Sequence, residues 1–203
     1  IISDLLEKVI EELNGVLIIN KLQGDAALFY AIPDDPNQLS ELILEKLQTS
    51  FKKFNQHIND ILFCETWACS TCPEVGDLKL KSFVHYGDFL IKKVNQFKEI
   101  AGQDVILAHR LMKNSIGVSE YMLFTKSFSE IMDLNPLGTI EERIEKYDGL
   151  GSVDCSVFYP DPELYQLETS KKKSWLGDTF RMMKYFMRSK SKSELEKKYN
   201  LME

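Results

Sequence analysis

Val16-Leu17-Ile18-Ile19-Asn20-Lys21-Leu22-Gln23-Gly24-Asp25-Ala26-Ala27-Leu28-Phe29-Tyr30-Ala31-Ile32 decides the fold. Two short, β-prone apolar runs, 16–19 and 26–32, flank a junction where Lys21, Gly24 and Asp25 crowd together. The pattern predicts a hairpin with a carboxylate at its tip. Gly24-Asp25 alone is no more than a tight turn demands. A carboxylate at the open edge of a sheet can also meet solvent or a divalent cation without the cost of full burial.

Outward from the hairpin, the flanks read as helices. Ser3 can cap a helix that puts Leu5, Leu6, Val9, Ile10 and Leu13 on one face, and Asn14-Gly15 stops it. Pro33-Asp34-Asp35-Pro36 breaks the second strand and offers Asp35 as N-cap with Pro36 first in the helix. Leu39, Leu42, Ile43, Leu47, Phe51, Phe54, Ile58 and Leu62 then keep helical spacing over a long amphipathic helix. A loop follows with Cys64, Cys69 and Cys72. The Cys-Ser-Thr-Cys spacing is that of half a zinc site without an evident second half; buried or surface thiols without metal are the competing reading.

Beyond the loop, 78–85 and 89–94 are expected to pair as a second hairpin around Tyr86-Gly87-Asp88. Residues 96–103 read as a polar connection, and Asp104 begins a helix through Ala108, Leu111 and Met112. Tyr121 to Phe124 reads as a strand, Ile140 to Lys146 as a short helix, and Val153 to Tyr159 as a closing strand. His85 and His109 read as packing residues. The order implies an α+β sandwich with helices on one face of a mainly antiparallel sheet.

The 203 residues, 44% hydrophobic and 28% charged, suit one soluble globular domain with a tail. The division expected is a domain over 1–165 and a basic amphipathic helical tail over 166–203. Lys171 to Lys192 holds eight basic residues against one acid, Asp178, so the body is more acidic than the overall −6. An acidic body argues against nucleic acid as a partner. The tail's Trp175, Leu176, Phe180, Met183 and Met187 form a stripe that suits packing or linking better than lying on an anionic membrane. No run reaches a membrane-spanning length and no secretory leader is evident. Four cysteines without a leader point to free thiols in a reducing, cytoplasmic setting. The first residue is Ile, and further polypeptide ahead of it is expected.

Three phrases then carry a resemblance. Lys21-Leu22-Gln23-Gly24-Asp25-Ala26 resembles the Lys-x-x-Gly-Asp hairpin of class III adenylate and guanylate cyclase catalytic domains. Val84-His85-Tyr86-Gly87-Asp88 is similar to their His-x-Gly-acid hairpin, and 102–111 to their Gly-x-x-Val-Asn-x-Ala-x-Arg segment. Gly-Asp-Ala-x-Leu-Phe-Tyr, His-Tyr-Gly and Asp-Val-Ile-Leu-Ala-His-Arg-Leu also resemble an uncharacterised bacterial family related to that domain. The likeness covers roughly Ile2 to Tyr159.

The resemblance implies a cyclase-like fold, with a ferredoxin-like βαββαβ core extended by extra strands. It implies a head-to-tail homodimer, a purine nucleoside triphosphate, and Mg2+ or Mn2+ as cofactor. By position Asp25 matches a metal-holding aspartate, Lys21 and Glu99 the pair that reads the base, and Arg110 the transition-state arginine. Two departures stand against cyclisation. Ile106 replaces the ribose-orienting asparagine, and the first metal aspartate belongs to a strand ahead of the opening helix. Nucleotide binding and a non-catalytic interaction or sensory module therefore both stay open.

Overall fold

The computed structural model describes residues 1–65, 73–95 and 97–161. The zinc reading at Cys69 and Cys72, the boundary at 165/166 and the basic tail lie outside the described residues.

Helix α1 (Ile2–Leu13) buries Leu5, Val9 and Leu13. It starts ahead of Ser3, which therefore lies in the first turn and does not cap: the Leu5 N–H bonds the Ile1 carbonyl at 2.9 Å. Strands β1 (Ile18–Gln23) and β2 (Ala26–Tyr30) form the expected hairpin, with Gln23 opposite Ala26. Gly24 at φ +63° as first turn residue gives the left-handed conformation that a two-residue turn of this kind needs. Helix α2 (Pro36–Glu65) begins where the sequence places it, because Asp35 Oδ1 accepts the Asn37 N–H at 2.9 Å. Lys46 Nζ at 2.9 Å and Lys53 Nζ both reach the buried Glu12 carboxylate, tying α2 to α1.

The remaining elements are β3 (Lys81–Val84), β4 (Leu90–Val94), β5 (Phe97–Ala101), α3 (Gln103–Leu111) and β6 (Tyr121–Thr125). They are followed by α4 (Lys126–Ser129), β7 (Ile140–Tyr147) and β8 (Gly151–Phe158). The result is a mixed α+β fold with one four-stranded sheet, ordered β3-β6-β8-β7, and two hairpins, β1-β2 and β4-β5. Within the larger sheet β3 runs parallel to β6 and the other pairs are antiparallel. Among the described residues the strands do not assemble into the continuous ferredoxin-like βαββαβ sheet that the resemblance implies.

Three expectations are corrected. First, helices cover both faces of the sheet. Met122 and Phe124 of β6 join the core of α1 and α2, while Tyr121 and Leu123 pack with Leu111 of α3. All five residues of β6 are buried, so its continuous apolar run means two covered faces. Second, 78–85 and 89–94 do not pair with each other. The Tyr86-Gly87-Asp88 loop folds against α3, and β4 instead pairs with β5, turning at Asn95 with φ +55°. Residues 97–101 are thus a strand and not a polar connection. Third, Ile140 to Lys146 is part of strand β7. Ile140 and Ile144 imitate helical spacing, but the inward residues are Arg143, Glu145 and Tyr147, two apart. Among the described residues no helix is long and apolar enough to cross a membrane.

Candidate functional site

Asn20 is an extra residue in β1: Ile19 faces Phe29 and Lys21 faces Leu28, leaving Asn20 bulged. A bulge re-aims its side chain. Here Asn20 Nδ2 donates to the Lys98 carbonyl at 3.4 Å, which joins β1 to β5. Lys21 follows Asn20, and Glu99 follows Lys98 in β5, where it stands opposite Lys92. Two of the residues singled out from sequence thus occupy neighbouring strands, and both are exposed.

Helix α3 supplies the next part of this shelf. Its last turn carries His109 and the exposed Arg110. Burial, reinforced by the positive charge of Lys21, pushes the His109 pKa below the usual imidazole value. Ile106, in the place of the family's asparagine, is 54% exposed.

A second arrangement lies at the other end of α3. His85 Nδ1 is 2.8 Å from Thr125 Oγ1 and 3.2 Å from Ser127 Oγ, and the Ser127 hydroxyl donates to the Tyr86 carbonyl at 2.6 Å. His85 Nε2 stands 3.3 Å from Asp104 Oδ1, though not aligned for a hydrogen bond. Asp104 Oδ2 accepts the Asp88 N–H at 2.7 Å. A carboxylate facing Nε2 favours the tautomer in which that nitrogen carries the proton and Nδ1 accepts from Thr125. A Cβ on Gly87 would lie 2.5 Å from Asp104 Oδ2 and 2.7 Å from His85 Nε2, so glycine lets the loop lie there without displacing either side chain. Sequence reading gave His85 no role beyond packing. Its signal was the glycine two residues later, which marks a close approach.

Asp25, His85, Asp104 and His109 all line one cavity of about 1080 Å³, bounded mainly by apolar residues of α1, α2, β2 and β3. Lys21, Glu99 and Arg110 do not line it. Among the described residues no three His, Cys, Asp or Glu side chains converge as a metal ion would require, at Asp25 or elsewhere. The described residues do not form a metal centre by themselves. Cys155 is free and buried beneath the opposite face, with its thiol pushed up to about 11 by burial and then by Glu145, Asp154 and Glu142.

A family model described as "Protein of unknown function (DUF2652)" matches residues 2–121. The Mycobacterium tuberculosis protein named "Uncharacterized protein Rv2561/Rv2562" is 30% identical over 159 residues, 78% of this chain and 72% of that protein. A solved structure of adenylate cyclases from Trypanosoma brucei in their monomeric state is similar with a TM-score of 0.41 and 13% identity. It covers 77% of this chain and 76% of that one. A superposition that loose carries no inference about fold or chemistry.

Proposed function

Taking as premise that the chain belongs to the DUF2652 family, we propose that it binds a purine nucleoside triphosphate on the shelf made by β1, β5 and α3. The observation that carries this reading is the Asn20–Lys98 hydrogen bond, which sets Lys21 and Glu99 on adjoining strands. An ammonium donor beside a carboxylate acceptor is complementary to the ring nitrogen and exocyclic amine of adenine. Arg110, exposed in the last turn of α3, supplies a planar cation for phosphate oxygens. Asp25, at the tip of the same hairpin, offers one carboxylate to the divalent ion that accompanies a triphosphate. Mg2+ or Mn2+ would neutralise phosphate charge there. Binding is the whole of the proposal, and cyclisation is not part of it.

A homodimer belongs to the same reading. It is supported by the exposure of Ile18, Ile19 and Leu22 on β1, of Ile106 on α3 and of Met112 just after it, apolar side chains that a second copy would cover. The same residues favour the second reading, a non-catalytic interaction module, should nucleotide leave the chain unaffected.

Thermal unfolding with millimolar ATP or GTP and Mn2+ separates the two. Nucleotide binding predicts a rise in Tm of a few degrees, reduced in Asp25→Ala and absent in Lys21→Ala. An unchanged Tm with both nucleotides contradicts it and leaves the interaction module.

A further inference from the structure

Strand β7 ends its sheet. In the order β3-β6-β8-β7 it is paired with β8 alone among the described residues, so the other side of its 8 residues has no strand beside it. Such an edge is a template for pairing with another chain, and proteins commonly guard it with charge. Glu141, Glu142, Arg143, Glu145 and Lys146 supply charge here, and Ile144 interrupts them. Ile144 is 65% exposed. It shares a face of the strand with the exposed Glu142 and Lys146, opposite the face that carries Arg143, Glu145 and Tyr147.

The order of these charges limits what can lie against the edge. When two copies of a strand pair antiparallel, residues directly opposite share a face of the sheet. The two-fold axis then stands perpendicular to the sheet and passes through a residue that faces its own copy. An axis through Glu141, Glu142, Arg143, Glu145 or Lys146 sets like charges directly opposite, which is destabilising. Ile144 is the one uncharged residue from 141 to 146. With the axis there, Glu142 stands opposite the partner's Lys146, and Arg143 opposite the partner's Glu145. Both pairs occur twice, and the exposed Ile144 covers the partner's Ile144. Glu141 falls opposite the partner's Tyr147, so no like charges oppose each other. The charges that repel in the other registers attract in this one.

We propose that β7 pairs with β7 of a second copy of this chain, antiparallel and centred on Ile144, joining the two four-stranded sheets edge to edge. The charged row is already held in place within one chain. Arg143 Nε is 3.3 Å from Glu145 Oε1, and the Ser156 hydroxyl donates to Glu142 Oε1 at 3.0 Å. Pre-ordered side chains lose less freedom on association. β1 and α3 take no part in this contact, which is independent of the apolar surface assigned to the nucleotide reading and of nucleotide itself.

Disulfide trapping tests both the contact and its register. Opposite residues of antiparallel strands have Cα atoms about 4.5–5.5 Å apart, inside the roughly 4.4–6.8 Å that a disulfide spans. Mild oxidation of the Ile144→Cys variant therefore gives a covalent dimer in which peptide mapping finds residue 144 joined to residue 144. Glu142→Cys alone gives no such self-linkage, because the two substituted positions lie about 14 Å apart in this register. Adding Glu142→Lys or Lys146→Glu to Ile144→Cys lowers the yield about tenfold. Adding both together restores it, which a mere loss of folding would not do. No 144-to-144 linkage, equal self-linkage in Glu142→Cys, a yield indifferent to either single swap, or a double swap that fails to restore it overturns the proposal.

Discussion

His85 Nε2 and Asp104 Oδ1 stand 3.3 Å apart, with Gly87 laid so closely over the pair that a methyl group there would overlap both. The contact joins the loop after β3 to the first turn of α3. It fixes where α3 starts, and with it the position of His109 and Arg110 at the other end. Gly87→Ala must displace the Asp104 carboxylate and the His85 ring or shift the loop away from them. The expected cost is about 1–3 kcal/mol in urea unfolding, with weaker nucleotide stabilisation. An alanine variant as stable as the parent would mean that the loop is not held on Asp104.

Glu12 is a buried carboxylate whose pKa is held below the usual value by hydrogen bonds from Lys46 and Lys53, against the opposing effect of burial. A carboxyl group with a lowered folded pKa contributes stability that is fully present above its unfolded value, near 4.5. That stability is lost as pH falls through the folded value. Glu12→Gln should therefore cost on the order of 1 kcal/mol at neutral pH and converge with the parent in acid. Denaturant unfolding at pH 7 and below pH 4 measures the difference.

Cys155 is enclosed among Tyr147, Leu123 and Val157, with its thiol raised to about 11. At pH 8 it should react with a thiol reagent at the rate of global unfolding and no faster. Rapid labelling of Cys155 in the native protein, located by peptide mapping, would contradict this account of the second core.

Deleting Asn20 removes the bulge and its bond to Lys98. Ile19–Phe29 and Lys21–Leu28 then become consecutive pairs, so Lys21 keeps its face but β1 loses the bend that the bulge gives it and its tie to β5. The expected outcome is a folded protein, destabilised by about 1–2 kcal/mol, that no longer gains stability from nucleotide. Asn20→Ala, which keeps the bulge, should retain part of that gain. Calorimetry on the two variants distinguishes them.

Much of the fold was legible in local chemistry. The turn at Gly24-Asp25, the Asp35 cap, the stop at Asn14-Gly15 and the apolar run at Tyr121 each act over a few residues. What was not legible depends on which strand a segment pairs with. Phe97-Lys98-Glu99-Ile100-Ala101 looks like a polar connection until β4 is set beside it, and Ile140 with Ile144 imitates a helix until β8 imposes a period of two. Helices on both faces could be inferred only from Tyr121 and Leu123 being as buried as Met122 and Phe124. At the site, sequence reading put Lys21 and Glu99 together and the strands that bear them are neighbours. His85 and Asp104 went unread because their contact depends on the missing side chain of Gly87.

The most direct test of the nucleotide shelf is residue-resolved NMR of the chain titrated with ATP. Amide shifts that move saturably below millimolar nucleotide and cluster at Lys21, Glu99 and Arg110, with loss of the effect in Glu99→Ala, are the predicted result. No saturable shift at millimolar ATP or GTP, or shifts confined to residues remote from β1, β5 and α3, would contradict it.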